Sequence, residues 1–77
     1  MSKLYSCTAV QQLIDHYLDR GGEVREIQEG SLGYGETVLF GEGLKTAVIK
    51  ERYINQWSSG HTIRLYNKMP KKYEQYI

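Results

Sequence analysis

A chain of 77 residues with one cysteine and a net charge of +1 makes a single small domain. A lone thiol excludes an internal disulfide framework. A near-neutral balance argues against a dedicated nucleic-acid domain, which is usually more basic. No apolar run approaches the length of a signal peptide or a membrane span, so a cytoplasmic protein is expected.

At this size folding buries only about 60% of the unfolded chain's surface. A core this small rarely supplies more than ~3–5 kcal/mol of net stability without a staple. The charge is unevenly spread: residues 1–43 carry −4 and residues 44–77 carry +5. Such a split suits an acidic partner, intramolecular pairing or self-association. With a small core and an open sheet edge, a homodimer is expected.

In chain order, Cys7 reads as a small residue just before a helix, with no His or Asp pattern to mark a nucleophile. Thr8 to Arg20 reads as that helix. Val10, Leu13, Ile14, Tyr17 and Leu18 recur at i, i+3, i+4, i+7 and i+8 and form one apolar stripe. Thr8 and Gln11 fit a capping box, and Gly21-Gly22 fits a left-handed stop. His16, Asp15 and Asp19 fall on the outer, solvated side, and no second ligand stands at metal spacing from His16.

Glu23 to Glu29 is a weak strand. Val24 and Ile27 do not share a period-two face, which suggests a bulge or an edge position. Gly30 to Gly35 holds three glycines in six residues, but lacks the Lys-Ser/Thr pair and the following helix that a phosphate-binding loop needs. It reads as a hairpin loop on which Leu32 and Tyr34 are candidates for partner contact.

Thr37 to Phe40 is the second strand, and Gly41-Glu42-Gly43 is a three-residue hairpin loop. Leu44 to Asn55 is the third strand. Its run Ala47-Val48-Ile49 is apolar without alternation, as expected of a central strand covered on both faces or strongly twisted. Ser58-Ser59-Gly60 reads as the next turn and His61 to Asn67 as the fourth strand. In that strand Ile63 and Leu65 alternate with Thr62, Arg64 and Tyr66. Pro70 can open a short terminal helix, which at this length must dock or fray. The fold expected is α+β: one amphipathic helix packed on an antiparallel meander of three to four strands, with a short C-terminal helix.

One constellation stands above background. Arg64, Tyr66, Lys68, Lys71, Lys72 and Tyr73 interleave cations with aromatics, and Lys50 and Arg52 share a parity on the strand before. Cations for phosphates and tyrosines for base stacking are the ingredients of single-strand binders. The same residues would also serve as a solvated sheet face. Trp57 is a core cap or an interface anchor. Ser58 or Ser59 with His61 lacks an orienting acid, a nucleophile elbow and an oxyanion hole.

The stretch WSSGHTIRLYNKMPKKYEQYI, with GSLGYGETVLFGEGLKTAVIKE before it, resembles small uncharacterised proteins of Bacteroides-type bacteria and their mobile elements. That resemblance carries over no activity and no site. The order helix, strands, short helix is also similar to double-stranded-RNA-binding and HicA-type toxin folds. The chain departs from both. It lacks the basic, alanine-rich final helix of the first and the glycine-serine-histidine strand motif of the second. Fold-level analogy does not license function.

The function expected is a non-enzymatic binding module that uses no cofactor and no metal. Its basic, tyrosine-rich C-terminal half contacts nucleic acid or an acidic protein surface. The rival expectation is a small RNA-acting toxin or enzyme using His61 and nearby cations.

Overall fold

The computed structural model describes residues 4–28, 35–55 and 58–76, with side chains at all of these except 28, 52–55, 58 and 59. The order of elements is α1 (Cys7–Asp19), β1 (Glu23–Gln28), β2 (Gly35–Phe40), β3 (Thr46–Asn55), β4 (Ser58–Tyr66) and α2 (Lys71–Glu74). The four strands form one antiparallel sheet in the order β1-β2-β3-β4, with α1 packed against it. This is the α+β meander that the periodicities predict.

The helix starts one residue earlier than expected, and its cap is not Thr8. Ser6 is the N-cap: it is extended, and its hydroxyl accepts from the Ala9 N–H at 3.2 Å. Gln11 is thereby released from the capping role, and its side chain donates to Asp15 at 3.1 Å. Cys7 becomes the first helical residue and is exposed. The C-terminus ends as the double glycine predicts. Gly21 takes φ +75°, its N–H donates to the Leu18 carbonyl, and the Gly22 N–H donates to the Tyr17 carbonyl. These are the two bonds of a Schellman stop. A Cβ on Gly22 would stand 2.8 Å from the Tyr17 carbonyl oxygen and 2.9 Å from that of Phe40. Glycine therefore lets the chain leave α1 hard against the sheet.

Of the predicted stripe, Tyr17 is buried. Val10, Leu13 and Ile14 are half-buried against the same core, while Leu18 is 52% exposed and lies outside it. The first sheet face meets this stripe with Leu39, Ala47 and Ile49. The Tyr17 hydroxyl donates to the Lys45 carbonyl at 2.6 Å, tying the end of α1 to the start of β3.

The opposite face is also covered, which explains two features of the sequence. Ile27, Val38 and Val48 form a second core there, closed by Tyr73 of α2. A strand with a core on each side need not alternate, so Ala47-Val48-Ile49 is apolar throughout. For the same reason Val24 serves the α1 face and Ile27 the other. β1 pairs with β2 in unbroken register and is an edge strand, with no bulge. Pro70 sits at the N-cap of α2, and this four-residue helix holds its place by burying Tyr73 to 2% exposure.

The starts of two strands, β3 and β4, move. β3 begins at Thr46, so the connection from β2 runs over 41–45, with Gly43 at φ +76° and the Leu44 N–H donating to the Gly41 carbonyl. β4 begins at Ser58 and pairs through Ser59 and Gly60, so these residues are strand and not turn. The ladder shifts register between Tyr53 and Asn55. The N-terminal segment adds a feature with no sequence signal: Tyr5 bridges His61 by two backbone hydrogen bonds on the outer side of β4. Leu4 lies over Gly60, where a Cβ would stand 3.1 Å from the leucine's own. Leu32, Tyr34 and Trp57 lie outside the described residues.

Candidate functional site: a cationic cavity on the second sheet face

The register fixes which side chains share the second face. Lys50 stands opposite Thr62, Val48 opposite Arg64 and Thr46 opposite Tyr66. Residues directly opposite in a ladder project to the same side, and so do residues two apart along a strand. Thr62, Arg64 and Tyr66 therefore line up beside Lys50 and Val48, away from α1. The last turn of the chain then lays Lys72 and Tyr73 over them. The result is a cavity of about 140 Å³ with Val48 in its wall and Lys50, Thr62, Arg64, Tyr66, Lys72 and Tyr73 around it.

Beside the cavity, on β2, sits Glu36, a carboxylate with only 7% exposure. Burying a charge is costly unless it is paired and hydrogen-bonded. Glu36 has both kinds of partner. The Tyr73 hydroxyl donates to its Oε2. Lys50 Nζ lies 3.2 Å from its Oε1, and Lys72 Nζ lies 3.9 Å from the same oxygen. Burial alone pushes the Glu36 pKa up. The Tyr73 hydroxyl, the Lys50 hydrogen bond and the charges of Lys50 and Lys72 outweigh that and hold it below the ordinary glutamate value. Glu36 is thus an ionised internal anion that fixes one side of the cavity.

The lysines are not used up by it. Their side chains are 50% and 59% exposed, and each ammonium has three donors. Lys72 also sits 4.8 Å from the centre of the Tyr73 ring. Arg64 is exposed, and among the described residues it makes no ion pair.

Of the residues singled out in sequence, Arg64, Tyr66, Lys72 and Tyr73 converge on this cavity, and Lys50 joins them as its parity suggested. Lys68 does not. It lines a separate opening with Glu42, Met69 and the β2–β3 connection. Lys71 is exposed and lines neither. Tyr73 is a core residue that anchors α2, not an exposed aromatic, and Tyr66 packs half-buried against the same core. Sequence reasoning missed Glu36, and it put Thr62 on the Arg64 face without assigning it to the site. The parity of Thr62 with Arg64 was available in sequence, but only the register puts Glu36 opposite Lys50 and Lys50 opposite Thr62.

His61 belongs to the other face. It pairs with Glu51 across the ladder and lines an opening with Glu26, Thr37 and Glu51 near the start of α1. Its Nδ1 is buried without a hydrogen-bond partner among the described residues. The fold places it across the sheet from Lys50 and Arg64, so His61 and those cations do not form one constellation. Among the described residues, no group of three or more His, Cys, Asp or Glu could hold a metal ion. Among the same residues no helix is long and apolar enough to cross a membrane.

Comparison with protein-family models, with curated proteins and with solved structures finds no match.

Proposed function

We propose that this chain is a non-enzymatic binding module that recognises an acidic partner through its second sheet face and the C-terminal turn laid over it. The observation that carries this reading is the convergence of Lys50, Arg64 and Lys72 on one open cavity beside a single carboxylate. Three cations drawn from β3, β4 and α2 are held at one place by a fold too small to keep many charged groups near its core. Lys68 and Lys71 add positive charge on the segment between β4 and α2 and at the start of α2. Charged rims act chiefly on association rate and salt dependence, and the desolvated contacts decide affinity.

An acidic protein surface fits this face better than a nucleic acid does. A single-strand binder presents aromatic faces for successive bases. Here Tyr73 is 2% exposed and Tyr66 packs against the same core.

The reading is tested by replacing Arg64, Lys68, Lys71 and Lys72 with Ser and measuring capture of cellular partners by parent and variant across a salt series. Weaker capture with a flatter salt dependence is expected from the variant, with its circular dichroism unchanged. Recovery of the same partners by both proteins would place the function elsewhere. A labelled RNA incubated with the parent checks the rival class: cleavage would make the chain an enzyme.

A further inference from the structure

We infer that the cavity between β3, β4 and α2 receives a single phosphate monoester group, and that the acidic partner is therefore a protein bearing a phosphorylated side chain. This rests on the acidic-partner reading above and narrows it.

Charge, size and donor geometry each point to that group. Lys50, Arg64 and Lys72 bring three positive charges, and Glu36 cancels one of them. Two remain, which matches a phosphate monoester at −1.5 to −2 near pH 7. A carboxylate or a phosphodiester brings only one. The cavity measures about 140 Å³, close to an apolar cavity of about 150 Å³ that holds benzene with its six heavy atoms. A phosphoryl group with its ester oxygen has five.

The donors are of the right kind. Arg64 presents a planar fork suited to two oxygens of one phosphate, and no carboxylate among the described residues occupies it. Thr62 stands opposite Lys50 and two residues from Arg64, on the same face. Its hydroxyl adds a donor between the two cations. Glu36 serves the site by holding Lys50 and Lys72 in place. In the ladder it lies opposite Lys50, while Arg64 lies opposite Val48 on β4. The resident carboxylate therefore binds from the β2 side and leaves the β4 side for a ligand.

The test is a ¹H–¹⁵N titration at constant ionic strength with four probes. These are an acidic peptide carrying one phosphoserine, its unphosphorylated counterpart, inorganic phosphate and dimethyl phosphate. The phosphopeptide and inorganic phosphate should give saturable shifts at the amides of Thr62, Arg64 and Lys72. The phosphopeptide should bind at least tenfold more tightly than its counterpart. Arg64→Ala should weaken both by tenfold or more while leaving the rest of the spectrum in place, and Arg64→Lys should restore part of the loss. Arg20→Ala, at the end of α1 with its side chain on His16, should bind as the parent does.

Equal binding of the two peptides would overturn the inference, as would an unaffected Arg64→Ala. Dimethyl phosphate binding as well as inorganic phosphate would overturn it in favour of a nucleic-acid backbone. If the unphosphorylated peptide binds equally and the fourfold serine variant loses it, the phosphoryl group falls and the acidic-partner reading stands. If no peptide binds and that variant captures the same cellular partners as its parent, both fall.

Discussion

The two faces of the sheet are built from the same strands, one residue out of phase, and they do different work. The α1 face is closed by apolar packing: Leu39, Ala47 and Ile49 meet Tyr17, with Val10, Leu13 and Ile14 around them. One of its polar groups, the Tyr17 hydroxyl, donates to a backbone carbonyl. The opposite face has an apolar floor of Ile27, Val38 and Val48, yet its cover is held by a buried carboxylate, a tyrosine hydroxyl and two lysines. Replacing buried ionic groups by packed apolar ones is often neutral or stabilising. Around Glu36 the Tyr73 hydroxyl and the two lysines offset the burial and favour the ionised form. The comparison teaches that the first face is closed by apolar packing and the second by an apolar floor with a buried charge and its partners.

The comparison can be broken most severely on the first face. Leu39 has no exposure at all. Leu39→Ala should cost about 2–5 kcal/mol, enough to unfold much of the population of so small a domain. Urea denaturation checks this, and a parental midpoint would mean that the α1 face is not the main source of stability.

A smaller loss is expected at the centre of the second face. Tyr73→Phe keeps the ring and removes the hydroxyl that Glu36 accepts from. Hydrogen bonds to charged groups contribute about 1.5–3 kcal/mol, and losing this one should fall in that range. An unchanged midpoint would show that α2 is held by its ring alone.

Acid sharpens the contrast further. The folded pKa of Glu36 lies below its unfolded value. Its ionised form therefore stabilises the fold fully above the ordinary glutamate pKa of about 4.3. That contribution is lost as the pH falls below this range through the lower folded value. Glu36→Gln should remove this part of the acid dependence, so the stability curves of parent and variant should converge as the pH drops. Parallel curves across that window would contradict an ionised, paired Glu36.

The smallest effect on stability is expected at Arg64. It is exposed and makes no ion pair among the described residues. Arg64→Ala should shift stability by no more than about 0.5 kcal/mol. A larger loss in the same denaturation experiment would make Arg64 a structural residue and weaken its assignment to the site.

How much of this was legible in sequence follows from which interactions are local. The helix was, because a 3.6-residue stripe and a double glycine act within a few turns. Its cap was misplaced because Ser6 and Thr8 offer the same hydroxyl two residues apart, and only backbone geometry chooses between them. The strands were legible, and Ala47-Val48-Ile49 already suggested a strand covered on both faces, but not what covers the second one. Off-period apolar residues such as Ile27 signal a covered opposite face only once the cover is known, and the cover is Tyr73. The cation set was half legible. The parity of Lys50, Arg64 and Tyr66 reads directly from the strands, whereas the paths of Lys68 and Lys71 depend on how the chain turns after β4. Glu36 was invisible. A glutamate in a strand reads as solvated, and what buries it is a tyrosine 37 residues away.

The central claim is that the second face is a ligand site whose specificity lies in Arg64 and the two lysines. Its most direct test is the melting midpoint of parent and Arg64→Ala with increasing inorganic phosphate, the ionic strength held constant with chloride. A ligand that binds only the folded state raises stability by RT ln(1 + [L]/Kd). The account predicts that phosphate raises the parental midpoint progressively and raises that of Arg64→Ala much less at each concentration. Equal shifts in the two proteins, or none in the parent, would contradict it.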